Sequence, residues 1–582
     1  MSFTWPVKTI FIIAIILLLL TGVGYFYIRQ HVLKANDFKP DKTKAESILD
    51  LRPSIIAKLQ QWVKDGSNGL YILSLEKIEP DILASKLDVV DGVITADTAA
   101  LHQLDLTKQL PDDIFKIKFH ALHIDGLSIK DLLQKDKMNI SGIYLSYPVI
   151  EVYHRNRKYN EREKERDQHL TIYQRLKDEI KKLVIGKINI DHGKLILHDG
   201  NEKDPVTIFN DISINMSDVL MDSSTQYDKN RFLFAKHAKL ETKNYMVGTS
   251  DSLYVIKLGT ITVISETNQI IVSNAELKPN GGRKHFEKIL KGKREERYLV
   301  TAPKIVFTGT DWWSLLNREN LISKAMDIEG GEVNVFFDRS LPMVVRAPMD
   351  HFPHQLVMKI PCPLLVNKLT VHDLKVDYTQ YNPETRSTGT ASVTHINATA
   401  DHVTNIPSEI KTNPFTDVLA NGLFMGHTPL NVKFKLNLLQ YRTGEFSADV
   451  HMGALNKDMV NPISEPLGRF TVKSGEMQKG DAHVTGNNSR ITGTVAFYYK
   501  DLHLTPLRED SANGELRKNH IKSFIANWFL IKNSNPEGKL RSPAFSVERD
   551  SHENFVAFIW TSITIGLLKT IGLSEKLAKK EQ

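Results

Sequence analysis

The chain of 582 residues has a single cysteine, Cys362, set between Pro361 and Pro363. Internal disulfides are therefore excluded, which fits the cytoplasm or a bacterial periplasmic protein that does not rely on cross-links. A small incidental thiol accounts for Cys362 better than a nucleophile does. Charge of one sign is also lacking. Net charge is only +7, with acids and bases interspersed, so nothing suggests nucleic acid. There is no phosphate-cradling G-x-x-x-x-G-K, no dinucleotide fingerprint, no H-E-x-x-H and no nucleophile elbow. We therefore expect no enzyme, no cofactor and no catalytic residue.

Histidine pairs three apart are the nearest approach to a metal motif. His120 and His123 lie in an alternating strand, where an offset of three places them on opposite faces. His351 and His354 flank Phe352-Pro353 in a loop, without nearby cysteine or clustered acids. Neither pair is read as a metal site.

What the chain does have is a run from Thr9 to Ile28 without a charge. At about 1.5 Å per residue it spans roughly 30 Å, enough to cross a bilayer as one helix. It exits through Tyr25-Phe26-Tyr27-Ile28-Arg29, an aromatic cluster suited to the membrane interface, with no small-residue cleavage site. A retained anchor is the better reading, and the absence of a nearby cysteine excludes a lipoprotein. Flanking charge leaves the orientation open.

Beyond the anchor, apolar and polar residues alternate, the mark of half-buried strands. Phe115, Ile117 and Phe119 oppose Lys116, Lys118 and His120; Val432, Phe434, Leu436 and Leu438 oppose Lys433, Lys435 and Asn437. Such strands suit antiparallel sheets with one wet face. Four segments share two apolar residues at alternate positions, a gap, then two more. They are Ile143/Leu145/Ile150/Val152, Ile188/Ile190/Leu195/Leu197, Met326/Ile328/Val333/Val335 and Leu369/Val371/Val376/Tyr378. The odd offset would flip the second pair to the other face of a straight strand. Pro148, Gly193 and Gly330-Gly331 lie in the gaps and suit a bulge or tight turn that restores the face. The starts are 45, 138 and 43 apart, a period near 45 that points to a solenoid or long sheet.

Charged residues from Arg155 to Gln168 lead into Ile172, Leu176, Ile180 and Leu183 at helical spacing, read as one amphipathic helix. The basic stretch Arg283 to Arg297 reads as a solvated loop or helix, with anionic headgroups as the alternative. Asp311 is expected to cap a short helix from Trp312 to Leu316. From Asn554 to Leu568 a second uncharged run holds Phe555, Phe558, Ile559, Trp560, Ile563 and Leu567. It is short for a span. An interfacial helix, a groove plug, a docking element or a helix packed on the body's own core all fit. Those six residues are the candidate membrane-contacting positions.

This arrangement resembles the AsmA-like family of Gram-negative envelope proteins. The likeness rests on the anchor, the β-rich body and local phrases such as Leu122-His123-Ile124-Asp125-Gly126-Leu127-Ser128-Ile129 and Ile143-Tyr144-Leu145-Ser146-Tyr147-Pro148-Val149-Ile150. Val472-Lys473-Ser474-Gly475 and Gly493 to Leu502 resemble its C-terminal part. Each motif is degenerate, and members that span the whole envelope are usually longer. The resemblance implies a single-pass inner-membrane protein with its bulk in the periplasm. It also implies an apolar β-groove that shields acyl chains, assisting phospholipid transport or outer-membrane assembly. The alternative is an anchored scaffold for outer-membrane proteins without a lipid channel.

The expected fold is thus mainly β: one transmembrane helix, then an elongated, curled antiparallel sheet with a few short helices. Stacked closed β-sandwich domains are the alternative. The expected divisions are 1–8 cytoplasmic, 9–28 anchor, 29–340 N-terminal β region, 341–550 C-terminal β region and 551–582 apolar and basic end. Expected partners are the inner membrane, phospholipids and envelope assembly proteins, with no nucleic acid.

Overall fold

The structure is a computed structural model. It describes residues 56–572 except 58, 59, 62, 65, 66, 68, 82–84, 127–136, 161–172, 175–180, 201–205, 250–251, 293–294, 343–350, 469, 508–531 and 550–553. The expected anchor at 9–28 lies outside the described residues, as does most of the amphipathic helix read at 172–183. Leu183, its last residue, belongs to a strand instead. Among the described residues no helix is long and apolar enough to cross a membrane.

The fold is mainly β, with 59% strand, 18% helix and a large mixed sheet. Two compact units divide the chain. The first takes residues up to Val247 with Lys257–Val272 and Thr308–Ile322; the second takes Gly248–Ile256, Ser273–Phe307 and Ser323 onward. The strands are β1 (Tyr71–Asp81), β2 (Lys86–Ala96), β3 (Asp113–Asp125), β4 (Lys137–Ser146), β5 (Val149–His154), β6 (Lys182–Asp199), β7 (Val206–Met221) and β8 (Ala235–Gly248). They continue as β9 (Tyr254–Ile264), β10 (Gln269–Pro279), β11 (Arg297–Thr308), β12 (Leu321–Glu329), β13 (Glu332–Asp338), β14 (Leu364–Asn382) and β15 (Ser387–Thr404). The last are β16 (Phe415–Phe424), β17 (Thr428–Asn437), β18 (Phe446–Met452), β19 (Phe470–Gly486), β20 (Arg490–Pro506) and β21 (Ala544–Glu548). The sequence boundary at 340 falls between β13 and β14, which pair with each other.

An all-antiparallel sheet does not describe this chain. β4 and β5 both run parallel to β6, and β13 runs parallel to β14. The connections 155–181 and 339–363 supply the dozen or more residues that a parallel crossover requires. These parallel steps explain the sequence repeat. Ile143 and Leu145 face Ile188 and Ile190, while Ile150 and Val152 face Leu195 and Leu197. Likewise Val333 and Val335 face Val376 and Tyr378. Segments 43 or 45 residues apart in sequence are therefore in-register neighbours, each presenting the same pattern to the same side.

The gaps hold the bulges and turns expected of them. The chain breaks at Tyr147, with φ 52°, and at Gly330 and Gly331, with φ 70° and 124°. A Cβ on Gly331 would lie 2.4 Å from the Thr301 carbonyl oxygen, so only glycine fits there. In the continuous strands the register shifts instead, between Ile190 and Leu195 in β6 and between Val371 and Val376 in β14. Each shift carries a His–Asp pair with both residues at positive φ. His192 meets Asp211 at 2.9 Å in the first unit, and His395 meets Asp373 at 2.8 Å in the second.

A similar irregularity corrects the expectation for His120 and His123. Asp91, at φ 49°, interrupts the β2–β3 register opposite His120. Phe119 and Leu122 are both buried, so the two histidines between and beyond them turn to the same, polar side. Each finds a carboxylate, His120 on Asp91 at 2.9 Å and His123 on Asp88 at 2.5 Å. The helix capped by Asp311 is present as Trp312–Arg318, with the Ser314 amide donating to the Asp311 carboxylate at 3.0 Å. The basic stretch contains the helix Gly282–Ile289 before β11 begins.

Candidate functional site: the apolar face of the second unit

Residues paired across neighbouring strands point to the same side of a sheet, so register converts sequence into faces. In the second unit one row runs Leu369, Ala400, Val418, Phe434, Ala448, Val484, Gly493, Phe545 from β14 to β21. A second runs Val371, Ala398, Ala420, Val432, Val450, Ala482, Val495. Every member is apolar. Eight strands thus carry one uninterrupted hydrocarbon face.

Its two ends are covered differently. At the β18–β21 end the C-terminal helix Phe555–Thr570 lies on the face. Phe555, Phe558, Ile559 and Ile565 join Phe446, Val484, Ile491, Val495, Phe545 and Val547 in one buried cluster. A Cβ on Gly566 would come within 2.6 Å of Val495 and 2.8 Å of Phe545, so the missing side chain sets the close approach. At the β14–β17 end Leu369, Val371, Val418, Ala420 and Val432 are only half-buried. Ala398, Ala400 and Ala420 are small there, while Leu369 and Val371 flank them on one side and Val432 and Phe434 on the other. Side chains on β15 and β16 are thus shorter than those on the strands to either side. The Ser464–Gly468 segment packs against β14 and β15, where the Asn382 side-chain amide donates to the Pro466 carbonyl at 2.9 Å.

The six candidate membrane-contacting residues all belong to this helix, and the structure separates them. Phe555, Phe558 and Ile559 are buried, whereas Ile563 and Leu567 pack partly covered against the same cluster. Trp560 stays 46% exposed and stacks on Phe424, ring centres 6.1 Å apart. Phe424 pairs with Val393, which pairs with Val376, so Trp560 stands over the same apolar face at its half-covered end. Val556 is the other outward apolar residue of the helix, 63% exposed.

Polar contacts hold the helix at both ends. Asn554 caps the first turn, accepting from the Ala557 amide at 2.7 Å, and its side-chain amide donates to the carboxyl of Glu296. That carboxyl also accepts from the Tyr298 hydroxyl and, at 3.4 Å, from the Tyr378 hydroxyl. Glu296 is almost fully buried. Burial pushes its carboxyl above the usual range, and the three hydrogen bonds only partly offset that. Burial, followed by the adjoining carboxylate, pushes the Tyr298 phenol upward as well. At the other end the Thr570 hydroxyl donates to the Val495 carbonyl at 3.0 Å.

Sequence reasoning missed Glu296, which sat inside a stretch read only for its bases. It also missed the row of small residues on β15 and β16. Register against β14 and β17 is what assembles that row, and no local pattern carries it. His354 lies in the helix Pro353–Met358 and not in a loop. His354 is buried, and neither ring nitrogen has a hydrogen-bond partner among the described residues. Among those residues no group of three His, Cys, Asp or Glu could hold a metal ion.

No protein-family model and no curated protein matches this chain.

Proposed function

We propose that this is a membrane-tethered protein that shields lipid acyl chains on an apolar β face, in the manner the AsmA-like resemblance implies. The supporting observation is the pair of apolar rows across β14–β21, dry beneath the C-terminal helix and half-covered from β14 to β17. Each methylene withdrawn from water contributes about 0.8 kcal/mol, so even a shallow apolar track lowers the cost of moving an acyl chain between bilayers. The uncharged run Thr9 to Ile28 would hold that track beside a membrane. An inner-membrane anchor, a periplasmic body and a phospholipid cargo form part of the same proposal.

The test uses the full chain in cells. A photo-crosslinking residue at Val432 or Leu369 is expected to capture phospholipid, and the same residue at Lys433, on the opposite side of β17, is not. Native mass spectrometry should find phospholipid on the purified protein. Apo protein alone, with no lipid captured from any of these positions, would overturn the proposal. A second reading, an anchored scaffold without a lipid channel, is favoured by the first unit, whose apolar rows are sealed. Protein partners captured at Val432 in place of lipid would select it.

A further inference from the structure

We propose that the first turns of the C-terminal helix are a releasable cover over the apolar face, latched by Glu296 and Asn554. The inference rests on the acyl-chain reading and adds a gate to it. Three observations carry it. First, the helix lies on the same rows of side chains that continue, half-covered, to β14. Its Phe555 ring packs between Phe352, Phe434 and Phe446, with centroid separations of 4.8, 5.7 and 4.9 Å, and Phe434 is a member of the first row. Lifting that one turn would uncover Phe434 on β17 and Phe446 on β18.

Second, the latch is built into the track itself. Tyr378, which contributes a hydroxyl to Glu296, stands on β14 in the same alternation as Val376, and the helix supplies only Asn554. A chain lying along β14 would reach the tyrosine before it reached the helix. Third, the two ends of the helix are held by different means. The C-terminal end inserts Thr570 and Gly566 into the close-packed β20–β21 cluster. The N-terminal end packs Phe555, Phe558 and Ile559 on the face, and its polar hold is the Asn554 amide on the Glu296 carboxyl, with Val556 and Trp560 facing outward beside it. An opening hinged near Gly566 would keep the buried half in place.

The experiment compares wild type, Asn554→Ala and Asn554→Asp in the full chain, by hydrogen exchange and by uptake of a fluorescent phospholipid from vesicles. Asn554→Ala is expected to speed exchange at 557–560 about tenfold while β18–β20 keep their protection. Lipid uptake should rise with it. Asn554→Asp keeps the cap on the Ala557 amide but removes the donor to Glu296, so it should match Asn554→Ala in both readouts; wild-type behaviour in Asn554→Asp would overturn the latch. Exchange at 557–560 unchanged in Asn554→Ala, or rising together with β18–β20, would overturn the latch. Faster local exchange with lipid uptake equal to wild type would also overturn it. If no variant takes up lipid, the acyl-chain reading fails, and the exchange pattern still decides whether the latch exists.

Discussion

In the first unit the row Ile78, Val89, Leu122, Leu145, Ile190, Ile214, Leu240 crosses seven strands, and no member exceeds 9% exposure. In the second unit the row from Leu369 to Phe545 crosses eight strands and passes from half-buried to dry as it runs beneath the C-terminal helix. Both units build the row with the same device, a parallel in-register step followed by a bulged strand carrying a positive-φ His–Asp pair. Backbone architecture therefore does not decide whether a face is sealed. Side-chain size and the presence of a covering element do. Large Ile, Leu and Val fill the first unit's row, whereas Ala398, Ala400 and Ala420 thin the second.

The sharpest way to break that contrast is to truncate equivalent positions. Ile188 and Leu369 hold the same place in the repeat and each has a four-carbon side chain, but only Ile188 is fully buried. Ile188→Ala should cost about 2–5 kcal/mol in the denaturant transition of the first unit. Leu369→Ala should cost roughly 1–2 kcal/mol, because part of the side chain already meets solvent. Equal losses would mean that the second face is as well packed as the first.

Much of this contrast was half-legible in the sequence. The repeat Ile143/Leu145/Ile150/Val152 and its partners marked the segments that pair in parallel, although the expected sheet was antiparallel, and the glycines and proline in the gaps marked where the face must be restored. The spacing could not say that the repeats were neighbours in one sheet, since a period near 45 suits a stacked array equally well. Alternation misplaced His120 and His123 for a related reason. The pairing lapses at Asp91, which sits at positive φ, and both strands change face there without a change of register; nothing around Asp91 announces it. The C-terminal run was recognised as apolar, but hydropathy does not distinguish Phe558, buried on β-strands, from Trp560 standing at their edge. Glu296 was illegible because its partners Tyr378 and Asn554 lie 82 and 258 residues away.

The second unit should also respond to acid through His354, for which the first unit offers no counterpart among the described histidines. Burial pulls its imidazole down to about 4. A histidine kept neutral in the folded state contributes full stability above its unfolded value, near 6.5, and loses it as pH falls toward 4. The second unit's transition should therefore weaken by up to about 3 kcal/mol across that window, and His354→Phe should flatten the profile. A profile unchanged by the substitution would place the acid sensitivity elsewhere.

The smallest effect expected is at the bulges, and it tests whether the shared device is neutral in the contrast. The pairs His192–Asp211 and His395–Asp373 are exposed to solvent, so a double-mutant cycle on either should return less than about 1 kcal/mol. Backbone conformation should matter more than charge. Asp373 sits at φ 50°, which glycine adopts freely and a β-branched residue does not, so Asp373→Gly should be tolerated and Asp373→Val should cost about 1–2 kcal/mol. The corresponding changes at His192, φ 54°, should give the same order. If the two bulges behave alike while Ile188 and Leu369 do not, the difference between the units lies in what covers the face. If the bulge in the second unit proves far more costly to disturb, the geometry of β14 holds its face open, and the alanines of β15 and β16 are secondary.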